Sequence, residues 1–281
     1  MNKNSKVLAL KYRPNVFDDL IGQNIISKTI SNSIKINKIP NAFLFTGIRG
    51  VGKTTIARIV AKSLNCLNGF EKVCKDKFCS NCESISNSNH IDVLEMDAAS
   101  KTGVDDVRDL IEFSKYGPTS SKFKIFIIDE VHMLSKQAFN ALLKTLEEPP
   151  EYLKFIFATT EIKKIPLTIL SRVNRFDLKR LESDILTNYL LEILKHEGLS
   201  AEKEALKTIS REAAGSVRDA LSILDQVLVN CETKIENQMV NELLGKVSKS
   251  DTLYLLELII EGKTIEVLKR SRNYIASNTS P

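Results

Sequence analysis

Two stretches of the chain carry residues whose types and spacing can do chemistry together. Residues 47–54 read Gly-Ile-Arg-Gly-Val-Gly-Lys-Thr and match the pattern G-x-x-x-x-G-K-[ST]. A glycine-rich loop that opens a helix turns its backbone N–H groups, and the positive end of the helix dipole, toward a phosphate. In such a loop Gly47, Gly50, Val51 and Gly52 shape the cradle and Lys53 bridges the β- and γ-phosphates. The Thr54 hydroxyl would ligate Mg²⁺, with Thr55 next along the helix. Residues 125–130 read Ile-Phe-Ile-Ile-Asp-Glu, an apolar run that ends in two carboxylates. Paired with a phosphate loop, Asp129 would hold the Mg²⁺ and Glu130 would orient and polarise an attacking water. The chemistry expected is phosphoryl transfer from a nucleotide to water, with no covalent intermediate.

A third group is made of sulfur. Four of the five cysteines, Cys66, Cys74, Cys79 and Cys82, follow the phosphate loop closely. Four thiolates suit tetrahedral Zn²⁺ at about 2.3 Å, and a closed four-sulfur set is structural because it leaves no position for water. On spacing alone only Cys79-Ser80-Asn81-Cys82 is a standard C-x-x-C. The alternative is a set of reduced thiols in a surface loop, with His90 a spare ligand should one cysteine fail. Cys231 stands alone and reads as a small buried hydrophobe.

The elements that must position these groups can be read from pattern. Apolar runs at 42–46, 92–95, 124–128 and 155–159 predict strands, with a weaker fifth at 175–178. Helical patterns lie between them, the signature of an α/β domain with a mainly parallel sheet. Val104, Val107, Leu110 and Ile111 share one helical face, with Asp105 and Asp106 in the first turn where the dipole favours them. Ser135 predicts the N-cap of the helix carrying Phe139, Leu142, Leu143 and Leu146, and Pro149-Pro150 predicts its stop. After about residue 181 the strand signals vanish, and 185–197, 201–213, 217–229 and 237–244 read as helices. A further amphipathic helix at 253–260 begins a third unit that ends in a polar tail, too short to enclose its own core.

Composition sets the outer limits. The chain has 281 residues, 43% hydrophobic and 27% charged, which excludes a disordered or fibrous protein. The net charge of +5 is a mild excess, compatible with a polyanionic partner without pointing to one. No stretch approaches the roughly 18 apolar residues of a membrane span, and the N-terminal apolar run is too short for a signal peptide. The expectation is a cytoplasmic protein with no membrane contact.

The longer motifs carry a resemblance. They are Lys11-Tyr12-Arg13-Pro14, Asp19-Leu20-Ile21-Gly22-Gln23, Asp129-Glu130-Val131-His132-Met133-Leu134, 140–150 (Asn-Ala-Leu-Leu-Lys-Thr-Leu-Glu-Glu-Pro-Pro), Ala158-Thr159-Thr160 and Ser171-Arg172-Val173. Together they resemble the clamp-loader ATPases of the AAA+ superfamily, most closely the gamma/tau family of bacterial DNA polymerase III, over nearly the whole chain. The resemblance implies an AAA+ parallel-sheet domain over 1–181 with a zinc module at about 66–82. A helical lid over 182–246 and the start of a helical collar over 247–281 would follow.

It also implies roles. Tyr12, Arg13, Pro14 and Ile21 would line an adenine pocket. Thr160 takes the sensor-one position, touching the γ-phosphate or the water, and Arg218, in 215–221 (Gly-Ser-Val-Arg-Asp-Ala-Leu), takes the sensor-two position. Arg172 would reach the nucleotide of a neighbouring subunit, with Arg175 its nearest rival and a local pair with Asp177 or Glu182 the alternative. The family's motif there is Ser-Arg-Cys, so Val173 departs only in the thiol. The family carries a zinc module where the four cysteines lie, although its second and third cysteines usually sit closer together. The cofactors implied are ATP, Mg²⁺ and Zn²⁺. The partners implied are delta and delta-prime subunits, other copies of the chain, the sliding clamp, primer-template DNA and, for longer forms, the polymerase core. No polymerase active site is visible. A branch-migration motor would need a winged helix after the lid, for which the residues past 247 leave no room. A non-hydrolysing scaffold is opposed by intact Lys53, Thr54, Asp129 and Glu130.

Overall fold

The computed structural model describes residues 7–101, 103–231, 234–245 and 249–276. In chain order the first elements are the turn α1 (Leu8–Lys11), α2 (Asn24–Lys35), β1 (Ala42–Thr46), α3 (Lys53–Asn65), α4 (Ser80–Ser86) and β2 (Val93–Asp97). There follow α5 (Val104–Ser114), β3 (Lys124–Asp129), α6 (Lys136–Glu147), β4 (Leu153–Thr159), α7 (Leu167–Leu170) and β5 (Asn174–Asp177). The five strands form one sheet in the order β2-β3-β4-β1-β5, and every neighbouring pair is parallel. Parallel strands joined by helical crossovers are covered on both faces, which is why β1, β3 and β4 read as unbroken apolar runs.

Successive side chains along each strand divide between two cores. Phe43, Phe45, Ile125, Ile127 and Ile156 pack on one face with α3 residues Ile56, Ile59, Val60 and Leu64. Leu44, Phe126, Ile128, Phe155 and Phe157 pack on the other with Val107 of α5 and Phe139, Leu142 and Leu146 of α6. Ser135 caps α6 as its position predicts, its hydroxyl accepting from the Ala138 amide at 3.2 Å. Because all five strands run one way, the loops after β1, β3 and β4 emerge on the same edge, where an open α/β sheet presents its ligand.

The chain divides into two compact units between Leu181 and Glu182. Residues 7–12 group with the second unit, and not with the first as the resemblance implies. The cause is specific: the Leu8 amide donates to both Asp225 carboxylate oxygens, at 3.0 and 3.2 Å, and Lys11 pairs with Glu197 at 2.6 Å. This second unit holds α8 (Ser183–His196), the short strand β6 (Ser200–Ala201), α9 (Lys203–Glu212) and α10 (Val217–Val229). It continues through β7 (Lys234–Ile235), α11 (Asn237–Leu243), α12 (Lys249–Ile260) and α13 (Thr264–Ala276). β6 and β7 pair in parallel, a two-residue ladder absent from the all-helical reading. Cys231 is half-buried rather than buried, because it lies just past the last turn of α10. The junction at 246–248 and the polar tail at 277–281 lie outside the described residues.

Candidate functional site

The phosphate loop follows β1 directly and bends through three left-handed glycines, Gly47, Gly50 and Gly52, at φ 148°, 75° and 108°. At Gly47 a Cβ would sit 3.0 Å from the Leu178 carbonyl oxygen and 3.1 Å from a Val51 methyl, so only glycine fits without displacement. Val51 is buried beneath the loop, and α3 starts at Lys53. The Lys53 ammonium is almost wholly buried and donates to the loop's own carbonyls, Gly47 and Ile48, each at 3.1 Å. Burial lowers its pKa from the usual lysine value, while the Glu130 and Asp129 charges act the other way.

Two carboxylates arrive from the end of β3. The Thr54 hydroxyl donates to Asp129 Oδ2 at 2.5 Å, and Asp129 Oδ1 accepts the Glu130 amide at 2.9 Å. Glu130 is in the left-handed region, φ 45° and ψ 44°. Its Oε1 stands 4.0 Å from Lys53 Nζ. Its Oε2 accepts the Thr160 amide at 3.2 Å and the Thr160 hydroxyl at 3.1 Å. The structure therefore brings Lys53, Thr54, Asp129, Glu130 and Thr160 to one place. His132, quoted only as part of a motif in the sequence reading, also stands here, with Nδ1 3.3 Å from Glu130 Oε2.

The remaining residues lie as follows. Arg13 Nε donates to the Thr55 hydroxyl at 3.2 Å, and Pro14 and Ile21 are half-buried. Tyr12 belongs to the second unit, where its hydroxyl donates to Glu197. Burial, followed by that bond and the Glu197 charge, pushes its phenol up to about 12. Arg218 also belongs to the second unit, exposed in the first turn of α10 and clear of the buried Ala220, Leu221 and Leu224. Arg172 pairs with Glu147 at 2.6 Å, and not with Asp177 or Glu182. Asp177 is taken instead by Arg175, at 2.6 Å, and by the Thr46 hydroxyl, at 2.5 Å.

The four cysteines converge, with their sulfurs all within 4.8 Å of one another. Cys66 Sγ is 3.7 Å from Cys74 Sγ and 4.0 Å from Cys79 Sγ. A tetrahedron of sulfurs at about 2.3 Å from a metal has edges of about 3.8 Å, so the donor set fits a tetrahedral thiophilic ion. Cys74 Sγ also accepts from Asn68 Nδ2 at 3.2 Å and from the Cys79 amide at 3.3 Å, the bonds that orient a thiolate ligand. Burial pushes the Cys66 and Cys82 thiols up. At Cys79 burial acts the same way, but amide donors from Cys82 and Leu67 outweigh it and bring the thiol down to about 7. His90 is not part of this cluster. Its Nδ1 accepts the Asp92 amide at 3.0 Å and its Nε2 meets the Ser121 hydroxyl at 3.1 Å, so the spare-ligand expectation fails.

Comparison with known proteins agrees with this geometry. The family model described as "DNA polymerase III, delta subunit" matches residues 22–182, and that of the "DNA polymerase III clamp loader subunit, ATPase lid domain" matches 186–233. DNA polymerase III subunit gamma of Buchnera aphidicola subsp. Baizongia pistaciae is 45% identical over 92% of this chain and 69% of that protein. The chain belongs to the DNA polymerase III gamma/tau family. Its gamma/tau relative in Haemophilus influenzae is 44% identical over 96% of this chain but only 39% of that protein. The tau subunit of Escherichia coli is likewise 44% identical, with 41% of its length covered. The chain thus spans about two fifths of these tau relatives. The RuvB Holliday junction branch migration motor of Thermotoga maritima aligns over 90% of this chain and 80% of its own at a TM-score of 0.62. At 20% identity that match concerns the fold alone, a parallel-sheet α/β unit followed by helices. Among the described residues no helix is long and apolar enough to cross a membrane.

Proposed function

We propose that this chain binds ATP with Mg²⁺ and hydrolyses it as the motor subunit of a clamp loader, driving a sliding clamp onto primer-template DNA. The observation that carries the reading is the convergence of Lys53, Thr54, Asp129, Glu130 and Thr160 at one sheet edge beside a glycine cradle. Lys53 exchanges its two loop carbonyls for β- and γ-phosphate oxygens, so its buried ammonium gains a charged partner. The Thr54 hydroxyl and the Asp129 carboxylate would hold Mg²⁺, which neutralises charge on the phosphates when bound. Glu130 accepts a hydrogen bond from the attacking water, and Thr160 holds Glu130 from the next strand.

Tyr12, Arg13, Pro14 and Ile21 as adenine contacts, and Arg218 as a phosphate contact, rest on the sequence resemblance. Arg172 is proposed to leave Glu147 and serve a neighbouring subunit's nucleotide, stimulating hydrolysis on assembly. The four cysteines would hold one structural Zn²⁺, remote from the chemistry. Delta and delta-prime subunits, further copies of this chain, the clamp, DNA and a polymerase core are the partners this reading calls for, and no membrane takes part. A non-hydrolysing scaffold is disfavoured by the carboxylate and hydroxyl already aligned at 2.5 Å.

The test compares Glu130→Gln with Lys53→Ala in the full chain. Glu130→Gln should keep ATP affinity and lose turnover, because Glu130 acts on the water while Lys53 meets ground-state phosphates. Equal loss of ATP affinity in both variants sinks this division of roles.

A further inference from the structure

We infer that His132 is a positioning residue for Glu130, fixing which oxygen of that carboxylate faces the water; this rests on the hydrolytic reading above. His132 lies in the turn Val131–Met133, two residues beyond Glu130, and its side chain is 6% exposed. Its ring bridges three groups from two strand ends. Nδ1 is 3.0 Å from the Thr159 hydroxyl at the end of β4 and 3.3 Å from Glu130 Oε2, while Nε2 is 3.4 Å from Glu161 Oε1.

The consequence for Glu130 is asymmetric. Its Oε2 accepts from the Thr160 amide and the Thr160 hydroxyl, and the His132 Nδ1 edge packs against it at 3.3 Å. Its Oε1 meets only the Lys53 ammonium, at 4.0 Å, among these groups. A carboxylate only accepts, and a donor set saturating one oxygen leaves the other to take a proton-bearing partner. Oε1 is therefore the atom that accepts from the attacking water, and the ring's Nδ1 side helps choose it. Glu161, fastened to Lys164 at 2.9 Å and through its amide to the Thr159 hydroxyl at 3.0 Å, holds the far edge of the ring. The imidazole thus has no room to turn away without breaking contacts on both sides.

The two nitrogens allow a test that separates positioning from packing. The amide nitrogen of His132→Asn falls near Nδ1, and that of His132→Gln near Nε2. ATP hydrolysis and ATP binding are measured on the full chain, wild type and His132→Ala, His132→Asn and His132→Gln. His132→Ala should lower kcat about 10- to 100-fold with ATP affinity within about twofold of wild type, the split expected when a reacting group is misplaced. His132→Asn should recover most of that loss and His132→Gln should not. Wild-type kcat in His132→Ala, parallel loss of kcat and affinity, equal rescue by both amides, or no rescue by Asn each overturns the proposal. Should His132→Ala melt early, the Asn and Gln pair decides alone. A wild-type chain that binds ATP but never turns it over overturns the hydrolytic reading and this inference with it.

Discussion

Helix α3 begins at Lys53 inside the phosphate loop and ends at Asn65, one residue before the first clustered cysteine. Its two ends are built on opposite plans. At the N-terminal end the polar groups have partners that a ligand can replace: Lys53 rests on its own loop's carbonyls and Thr54 on Asp129. At the C-terminal end the partners are permanent. Asn65 exchanges two hydrogen bonds with the Phe123 backbone, at 2.8 and 3.0 Å, and Asn81 ties the Asn65 carbonyl to Ser121 at 3.0 and 3.1 Å. Below that lattice the four sulfurs face one another. A ligand that comes and goes needs contacts that can be exchanged, whereas one that stays needs a closed shell and a fixed backing.

The comparison breaks most sharply if metal matters at the wrong end. Cys82→Ser should lower zinc content in elemental analysis and stability by at least about 3 kcal/mol, roughly 6–12 °C in Tm, since structural zinc contributes folding energy. The folded fraction should bind ATP as before, and a parallel loss of affinity would mean that the two ends are not independent. Lys53→Ala should do the reverse. ATP affinity falls at least about 100-fold, or about 2.8 kcal/mol. The nucleotide-free Tm, read by calorimetry, stays level or rises because a desolvated ammonium has been removed.

Asp92 sharpens the contrast further. It is fully buried, immediately before β2, and accepts the Thr119 and Ser120 amides, both at 2.7 Å, and the Ser120 hydroxyl at 2.9 Å. Burial pushes its pKa up, but those donors and the nearby His90 outweigh it and hold the carboxyl below the usual value. A depressed folded pKa contributes stability above the unfolded value near 3.9, and that contribution is lost as pH falls through the lower folded value. Asp92→Asn should cost about 2 kcal/mol in denaturant unfolding at neutral pH and flatten the acid limb of the stability curve below about pH 4. An unchanged acid limb would show that the charge is not what anchors the turn. The smallest effect belongs to Arg172→Ala in the isolated chain. Its pair with Glu147 is half-exposed, so stability should change by less than about 1 kcal/mol and ATP affinity not at all. Lost ATP binding there would assign Arg172 to its own subunit's nucleotide.

Most of the sheet unit was legible because its signals are local. A glycine loop between an apolar strand and an apolar helical stripe, two carboxylates closing a strand and a serine before a helix each carry their structural reason within a few residues. What escaped needed partners distant in sequence. The β6–β7 ladder is two residues long, too short for any period to register. Residues 7–12 join the second unit through Asp225 and Glu197, some two hundred positions away. The alternative partners weighed for Arg172, Asp177 and Glu182, lie near it in sequence, but β5 gives Asp177 to Arg175 and leaves Glu147 at the end of α6 within reach. His132 had one usable signal, a histidine two positions after a strand-ending carboxylate. Its bond to Thr159 depends on β3 and β4 lying side by side.

The backbone at Glu130 sets folding against reactivity at a single position. A residue with a Cβ gives up roughly 1–2 kcal/mol to stay in the left-handed region, where glycine rests at ease. On the hydrolytic role proposed for Glu130, the backbone accepts that cost so that a carboxylate stands at this point. Relaxing that demand would favour smaller residues at 130 and a sturdier, idle protein, so robustness and turnover pull apart at this one peptide.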